Sequence, residues 1–230
     1  MLEECADVLG KVSLFKDIET KGALILCEEM RARLLVFKGR ETIIGEGTEN
    51  HNMYILISGG AVGEKSTADG RTVTVNDLKP GDIFGDVLSG SSTRSPVTVR
   101  ANGGCKVLGF LFEAVLSACA KNDELNSRLL RNLILEISDK YFALNRRVEI
   151  LIENRIRRKI AIYLQNLLKS GESAKIKMPH KSREDLAQYL SCDRSALCRE
   201  LSRMKSDGII DYNKNTVTVK DIGFLGMLAQ

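Results

Sequence analysis

Residues 182–207 constrain the fold most, because they have the pattern of two short helices joined by a tight turn. Ser182 stands three residues before Asp185, which is the spacing of a capping box at a helix start. Asp193 follows a break in the helical pattern, and its short carboxylate can cap a second helix. The segment therefore predicts a helix-turn-helix.

The second of these helices has two different faces. Leu197, Leu201 and Met204 recur at i, i+4 and i+7, which predicts a buried apolar stripe. The other face carries arginines and small polar residues, which suit the major groove of DNA: Arg194, Ser195, Cys198, Arg199 and Ser202. Amphipathic helix pairs also occur in domains that do not bind DNA, so this pattern alone leaves both interpretations open.

The surrounding C-terminal sequence favours DNA binding. Residues 210–212 and 216–219 alternate in polarity around Asn213-Lys214-Asn215, which indicates a β-hairpin and hence a winged helix-turn-helix. Residues 154–230 hold 15 Lys and Arg against 8 Asp and Glu, whereas residues 1–153 hold 19 against 22. A basic C-terminal third is typical of nucleic-acid binding, although an ordinary solvated surface can have the same balance.

The N-terminal half has a different pattern. Residues 1–32 are predicted to be helical, and short β-rich runs separated by glycine turns follow. Most of the 19 glycines lie among these runs, which predicts a small antiparallel β-sandwich or barrel. The runs are residues 34–37, 42–44, 53–57, 72–75, 97–99 and 106–108.

The next segment has no glycine: none occurs between Phe112 and Gly171. Its apolar residues recur at alternating steps of four and three, which favours a seam between two helices of a dimer over one side of a core helix. The seam residues are Leu130, Ile134, Ile137, Tyr141, Leu144, Val148 and Leu151. A further helix is predicted at residues 154–168, with one set of side chains facing inward and another outward. The inward set is Ile156, Ile160, Leu164 and Leu167, and the outward set is Arg155, Arg157, Arg158 and Lys159.

Composition excludes several classes of protein. No run of 18 apolar residues occurs and residues 1–10 lack a signal peptide's basic and apolar regions, so we expect a cytoplasmic protein that does not cross a membrane. The six cysteines show no C-x-x-C spacing and are expected to be free thiols. The motifs of hydrolases, metalloproteases and nucleotide-binding loops are missing, and His51 and His180 fit ordinary polar surface positions. An enzyme and a metal site are therefore the least favoured interpretations.

The order of β-roll, long helix and winged helix-turn-helix resembles the Crp/Fnr family of bacterial transcription regulators over about residues 13–220. The strings that carry the resemblance are SLF at 13–15, ISGG at 57–60, LKPGDIFGD at 78–86, REDLA at 183–187, DRSALCREL at 193–201 and GII at 208–210. The resemblance implies an α+β fold. Residues 1–118 would form a jelly-roll-like antiparallel β-roll, residues 119–153 a dimerisation helix and residues 154–230 the DNA-binding domain.

The resemblance also implies a homodimer that binds a palindromic site in double-stranded DNA, contacts RNA polymerase and has its DNA affinity modulated by a small effector in the β-roll. Signal transfer would run through the dimerisation helix and change the placement of the two recognition helices. Two alternatives remain open at this point. One is a ligand-binding regulatory module that does not bind DNA, and the other is a regulator that responds to a cyclic nucleotide.

The family's base-reading positions fall on Arg194, Ser195 and Arg199. Arginine suits guanine, but serine stands where the family often has glutamate and cannot make the same contact to cytosine N4. We therefore expect a half-site that differs from the family's common TGTGA and TTGAT types. The neighbouring residues expected at the DNA are Ser182, Arg183, Cys198 and Ser202, with Cys198 as a packing or groove residue rather than a redox switch.

The family's effector positions are matched less well. Asp86 stands at the place of a ribose-binding glutamate, and Arg94 with Ser95 at the place of a phosphate-binding pair. Leu144 and Asn145 fall where cyclic-nucleotide binders have a Thr-Ser pair that reaches adenine, and leucine cannot make that hydrogen bond. These departures favour another small effector over a cyclic nucleotide, and a β-roll without a ligand also remains open. Iron–sulfur and haem cofactors are disfavoured, because the N-terminal region has only Cys5 and Cys27 and the chain has only two histidines.

Overall fold

The computed structural model describes residues 2–67, 70, 72–85, 94–121, 123–168, 174–180 and 182–229. The chain divides into two compact units, and the division falls after Ser138, inside one long helix. Each unit has its own apolar core. The mixed α+β architecture predicted from the sequence is confirmed.

The N-terminal unit begins with short helical segments and continues as a two-sheet β-roll. The 3-10 turns are Glu3–Cys5 and Ser13–Phe15, and the helices are α1 (Ala6–Leu9), α2 (Thr20–Glu29) and α3 (Phe112–Cys119). The strands are β1 (Arg33–Phe37), β2 (Thr42–Ile44), β3 (Asn52–Ser58), β4 (Ala61–Ser66), β5 (Thr72–Leu78), β6 (Ile83–Phe84), β7 (Thr98–Ala101) and β8 (Cys105–Leu111). The sheets have the orders β1-β8-β3-β6 and β2-β7-β4-β5, and their paired strands are antiparallel.

The strand β3 shows why the first sheet is apolar on both faces. Side chains alternate along a strand, so Met53 and Ile55 face the core that the helices cover, whereas Tyr54 and Leu56 face the second sheet. The uninterrupted apolar run in the sequence therefore reflects burial on both faces. All six predicted β-rich runs lie in strands or overlap them, and β4 and β6 were not predicted.

The long helix α4 (Glu124–Ile152) confirms the helix predicted after Phe112. Its first half packs into the N-terminal core through Leu129 and Leu133. Buried Asn132 on the same half donates hydrogen bonds from Nδ2 to the carbonyl oxygens of Leu14 (3.0 Å) and Lys16 (2.8 Å). The 3-10 turn Ser13–Phe15 is thereby fixed against α4.

The C-terminal unit is a winged helix-turn-helix, as predicted. Its further elements are α5 (Ile156–Leu167), β9 (Lys175–Lys177), α6 (Arg183–Leu190), α7 (Arg194–Ser206), β10 (Ile210–Asn213), β11 (Thr216–Val219) and α8 (Ile222–Ala229). The wing is an antiparallel sheet of order β10-β11-β9. Strand β9 and helix α8 were not predicted, because β9 has only three residues and α8 contains two glycines, which are poor helix formers.

No helix in the described parts of the chain combines the length and the apolar character needed to span a bilayer.

Candidate nucleic-acid interface and effector site

Helices α6 and α7 each begin at a side-chain cap. The Ser182 Oγ accepts a hydrogen bond from the Asp185 amide at 3.0 Å, and an Asp193 Oδ1 accepts one from the Ala196 amide at 2.9 Å. Both predicted N-caps are therefore present. Between the helices Ser191 adopts the left-handed conformation (φ 48°, ψ 58°), which is costly for a residue with a Cβ atom.

Lys159 explains how this turn is held. The prediction that Lys159 lies on the outward face of α5 is wrong: its side chain reaches beneath the end of α6, and the residue is only 6% exposed. Its Nζ donates to the carbonyl oxygens of Leu190 (2.9 Å) and Ser191 (3.4 Å). A cation at a helix C-terminus interacts favourably with the free carbonyl groups, and these bonds satisfy an otherwise buried charge.

The inner side of α7 is fixed by packing and by one ion-pair group. Leu197, Leu201 and Met204 are buried, which confirms the predicted stripe. Half-buried Arg157 of α5 lies 2.5 Å from a Glu200 carboxylate oxygen through Nε and 2.8 Å from an Asp207 oxygen through Nη2. Because these two acids lie in the middle and just beyond the end of α7, Arg157 fixes the helix along its axis.

The exposed face of α7 carries the predicted base-reading residues. Ser195 Oγ donates to Asp193 Oδ1 at 2.5 Å, and Arg199 Nη1 donates to Ser195 Oγ at 3.1 Å. The Ser195 hydrogen bond, followed by that of the Ala196 amide, holds the pKa of Asp193 below its usual value. Arg194 is 65% exposed at the side chain, and its Nε is 3.9 Å from a Glu184 carboxylate oxygen.

Two of the remaining predicted DNA contacts, Arg183 and Ser202, lie against Tyr212 of the wing. Arg183 places its guanidinium 5.0 Å from the centre of the Tyr212 ring. Ser202 Oγ donates to the Cys198 carbonyl oxygen at 3.0 Å and lies 3.3 Å from Tyr212 Oη. Cys198 is half-buried, and Ser182 is exposed at the start of α6. The tertiary structure therefore brings the start of α6, the exposed face of α7 and the wing together.

His180 does not occupy the ordinary surface position predicted for it. It is half-buried, with ring centres 4.7 Å from Tyr189 and 5.6 Å from Tyr163, while the Arg147 guanidinium lies 4.1 Å from the Tyr189 ring centre. Burial lowers the pKa of His180, Arg147 lowers it further, and Asp185 acts in the opposite direction. This aromatic group joins the second half of α4 to α5 and α6. His51 is exposed, as predicted.

The predicted effector residues are less well assembled. Ser95 is 2% exposed; its Oγ donates to the Val97 carbonyl oxygen at 2.7 Å. Arg94 is exposed, and Asp86 lies outside the described residues. Leu144, at 62% exposed, and Asn145 belong to the second half of α4, in the C-terminal unit.

The space between the two sheets is apolar near the end of β6. Tyr54 stacks on Phe84 with ring centres 5.2 Å apart, inside the core that both sheets share. The chain then turns at Gly85 with φ +78°, where a Cβ atom would come within 2.7 Å of the Asn52 carbonyl oxygen. Asn50 donates to the carbonyl oxygens of Asn52 and Gly85 and thereby holds the chain at this turn.

The predicted seam residues all lie on α4 with their side chains accessible in the single chain. Each is between 40% and 62% exposed, although all are apolar or aromatic. Large apolar residues aligned on one exposed face are typical of a helix that packs against a partner. The residues are Leu130, Ile134, Ile137, Tyr141, Leu144, Val148 and Leu151.

Two domain families match separate parts of this chain. The cyclic nucleotide-binding domain matches residues 34–122, and the Crp-like helix-turn-helix domain matches residues 158–227. Among characterised proteins, the chain is 22% identical over 222 residues to the CRP-like cAMP-activated global transcriptional regulator of Mycobacterium tuberculosis. That alignment covers 94% of this chain and 95% of the relative.

Solved structures share the fold. A CooA mutant from Carboxydothermus hydrogenoformans aligns with a TM-score of 0.63 at 18% identity, covering 89% of this chain and 90% of that one. FixK2 from Bradyrhizobium japonicum aligns with a TM-score of 0.56 at 20% identity, covering 86% and 98%. The two domain matches occur in the family's order and agree with the β-roll, the long helix and the winged helix-turn-helix described above. The chain belongs to the Crp/Fnr family of transcription regulators.

Proposed function

We propose that this protein is a homodimeric, sequence-specific DNA-binding regulator of transcription, which uses α7 as its recognition helix. The observation that carries the proposal is the division of α7 into a face buried by Leu197, Leu201 and Met204 and an exposed face that presents Arg194 and Arg199. Because the N-terminal part of such a helix meets base edges in the major groove, these two arginines are the proposed base contacts.

Residues around the recognition helix would position the protein on the DNA backbone. Ser182 and Arg183 lie at the start of α6, and Lys214 lies at the tip of the wing hairpin. Hydroxyl groups, cations and helix N-termini bind phosphate oxygens and fix the register of a protein on the duplex without reading sequence. Ser202 and Cys198 line the same surface of α7.

The exposed stripe on α4 supports a homodimer. Its heptad spacing would allow two copies of the helix to bury the seven seam residues against each other. A two-fold dimer presents two recognition helices to successive major grooves about 34 Å apart, and this requires a palindromic site. In this proposal residues 1–118 form the effector domain, residues 119–153 the dimerisation helix and residues 154–230 the DNA-binding domain.

The match to a cyclic nucleotide-binding domain supports a small effector in the β-roll. Two observations argue for an effector other than a cyclic nucleotide: the Ser95 hydroxyl is already bonded to the Val97 carbonyl, and Leu144 stands at the adenine-contact position. We further propose that the protein acts in the cytoplasm with RNA polymerase as a partner and that it is not an enzyme. A ligand-binding module without DNA binding is not favoured, because of the winged helix-turn-helix.

The test is selection of bound duplexes from a random DNA pool at moderate salt, with and without small molecules from a cell extract. We expect a palindromic site, with Arg199→Ala relaxing the preference at one base pair in each half-site by roughly 1–3 kcal/mol. Arg40→Ala, which changes an exposed arginine of the N-terminal unit, is the matched control. Equal affinity of the wild-type protein for selected and random DNA would contradict the proposal.

A further inference from the structure

The recognition helix begins with a chain of three hydrogen-bonded side chains. Asp193 caps the helix, Ser195 donates to its carboxylate at 2.5 Å, and Arg199 donates to the Ser195 hydroxyl at 3.1 Å. Residues four apart lie on the same side of a helix, so Arg199 is one turn along from Ser195. The Arg199 guanidinium is thus linked, through the Ser195 hydroxyl, to the N-cap residue of the helix.

The Ser195 hydroxyl has little capacity left for a base. A serine hydroxyl has one proton to donate and two lone pairs that accept. The proton is used on Asp193, and one lone pair is used by Arg199. An acceptor on a base edge would have to compete with the carboxylate for the proton, and bonds to an ionised acceptor are the stronger kind. Only one lone pair remains for a donor on a base.

Arg194 provides a contrast on the same helix. Its Nε is 3.9 Å from the Glu184 carboxylate, beyond hydrogen-bonding distance, and both side chains are largely exposed. An exposed ion pair of this kind orders a side chain weakly. The two arginines therefore differ: Arg199 is held in one direction before DNA arrives, whereas Arg194 is not.

We infer that Ser195 is a positioning residue for Arg199 rather than a base-reading residue, and that the Asp193–Ser195–Arg199 chain makes Arg199 the main determinant of half-site specificity. This inference rests on the proposed function. A side chain that is already ordered loses less conformational freedom on binding. The arrangement therefore increases discrimination at the base pair that Arg199 reads without adding a contact at position 195.

The experiment measures the affinity of the full-length protein for its selected operator and for operators changed at one base pair at a time. The variants are Ser195→Ala, Ser195→Thr, Arg199→Ala and the Ser195→Ala/Arg199→Ala double variant. Ser206→Ala, which removes another exposed hydroxyl of α7, is the matched control. Circular dichroism and thermal melting check that each variant is folded.

We expect Ser195→Ala to lower discrimination roughly three- to tenfold, the effect of freeing one long side chain. The loss should occur only at the base pair that Arg199→Ala also affects, and affinity for random DNA should be unchanged. Ser195→Thr, which keeps the hydroxyl, should restore discrimination. In the Arg199→Ala background, Ser195→Ala should have no further effect, because a residue that acts only through Arg199 has nothing left to position.

Loss of discrimination at a different base pair, or additive effects in the double variant, would overturn the inference in favour of direct reading by Ser195. Unchanged discrimination in Ser195→Ala would overturn it as well. These three results leave the proposed function intact, since the wild-type protein would still select a site. A wild-type protein that selects no sequence would instead refute the proposed function and the inference together.

Discussion

The proposed DNA-reading surface and the proposed effector site differ in what their hydrogen bonds do. On α7, bonds from Asp193 through Ser195 hold the Arg199 guanidinium at the exposed face. In the β-roll, the hydroxyl predicted to meet a ligand is turned onto the Val97 carbonyl and buried. Side-chain bonds order an arginine at the first place and occupy a hydroxyl group at the second. The Arg94-Ser95 motif therefore does not by itself indicate a hydroxyl that is available to a ligand.

The largest expected effect concerns dimerisation. It tests whether the proposed DNA-reading surface needs two copies of the chain to bind the operator. Leu144→Lys places a charge in the proposed seam, and two copies would bring two charges together, so we expect dissociation to monomers. Operator affinity should fall by about 100-fold or more, because the second half-site is no longer held at high effective concentration. Sedimentation and operator titration measure both quantities.

Ala143→Lys is the matched control for this change. Ala143 is exposed and adjacent to Leu144, but it lies outside the heptad stripe. A control variant that dissociated to the same extent would show that added charge on α4, rather than the seam, is responsible.

The second effect concerns the turn between α6 and α7. Lys159→Met removes the ammonium that the Leu190 and Ser191 carbonyl groups accept from. Leaving the buried Leu190 carbonyl group unsatisfied costs about 1–3 kcal/mol, so the free energy of unfolding should fall by that amount. Urea denaturation measures it, with exposed Lys220→Met as the control. Equal stability of the two variants would show that Lys159 does not hold the turn.

The third effect is a pH dependence that originates in the DNA-binding unit. Burial lowers the pKa of His180 in the folded protein, so the unfolded chain binds the proton more readily. Stability should be fully retained above the unfolded histidine pKa of about 6.5 and should decrease as the pH falls below it.

His180→Phe keeps an aromatic ring beside Tyr163 and Tyr189 and should flatten this acid dependence in thermal melts between neutral and mildly acidic pH. His51→Gln, at an exposed position of the N-terminal unit, is the matched control. If the stability of His180→Phe depended on pH as the wild-type stability does, His180 would not be the source of the acid dependence.

The smallest expected effect is at the effector site. Because Ser95 is engaged internally and Leu144 cannot reach adenine by hydrogen bonding, cAMP should change operator affinity less than about twofold, under 0.5 kcal/mol. Fluorescence anisotropy with labelled operator measures it. A shift in operator affinity of tenfold or more would mean that Ser95 rearranges when cAMP binds. The Ser95 hydroxyl would then be available to a ligand after all.

The DNA-reading unit could be predicted largely from sequence because its signals are local. The caps at Ser182 and Asp193 and the stripe Leu197–Leu201–Met204 are set by spacing within one helix or turn. Lys159 was misplaced because helical periodicity assigns a face but does not reveal that the carbonyl end of another helix lies there. His180 was misplaced for a related reason: the tyrosines that bury it come from α5 and α6.

The predicted effector residues give no local signal of a site, because they lie in separate elements. Arg94 and Ser95 precede β7, whereas Leu144 belongs to α4, so no single periodic pattern contains them. Short elements were also missed: β6 has two residues and β9 three, which is too few for an alternating pattern to be recognised. The β-roll itself was predictable, since glycine turns separate its longer strands.

The continuity of α4 has a consequence for how the protein unfolds. One helix of 29 residues supplies Leu129 and Leu133 to the N-terminal core and Ile150 to the C-terminal core. Loss of either core removes the packing from one end of this helix, and helices derive most of their stability from packing. Fraying that starts in one unit therefore weakens the other. The two units share one cooperative element, and their melting transitions are thermodynamically linked.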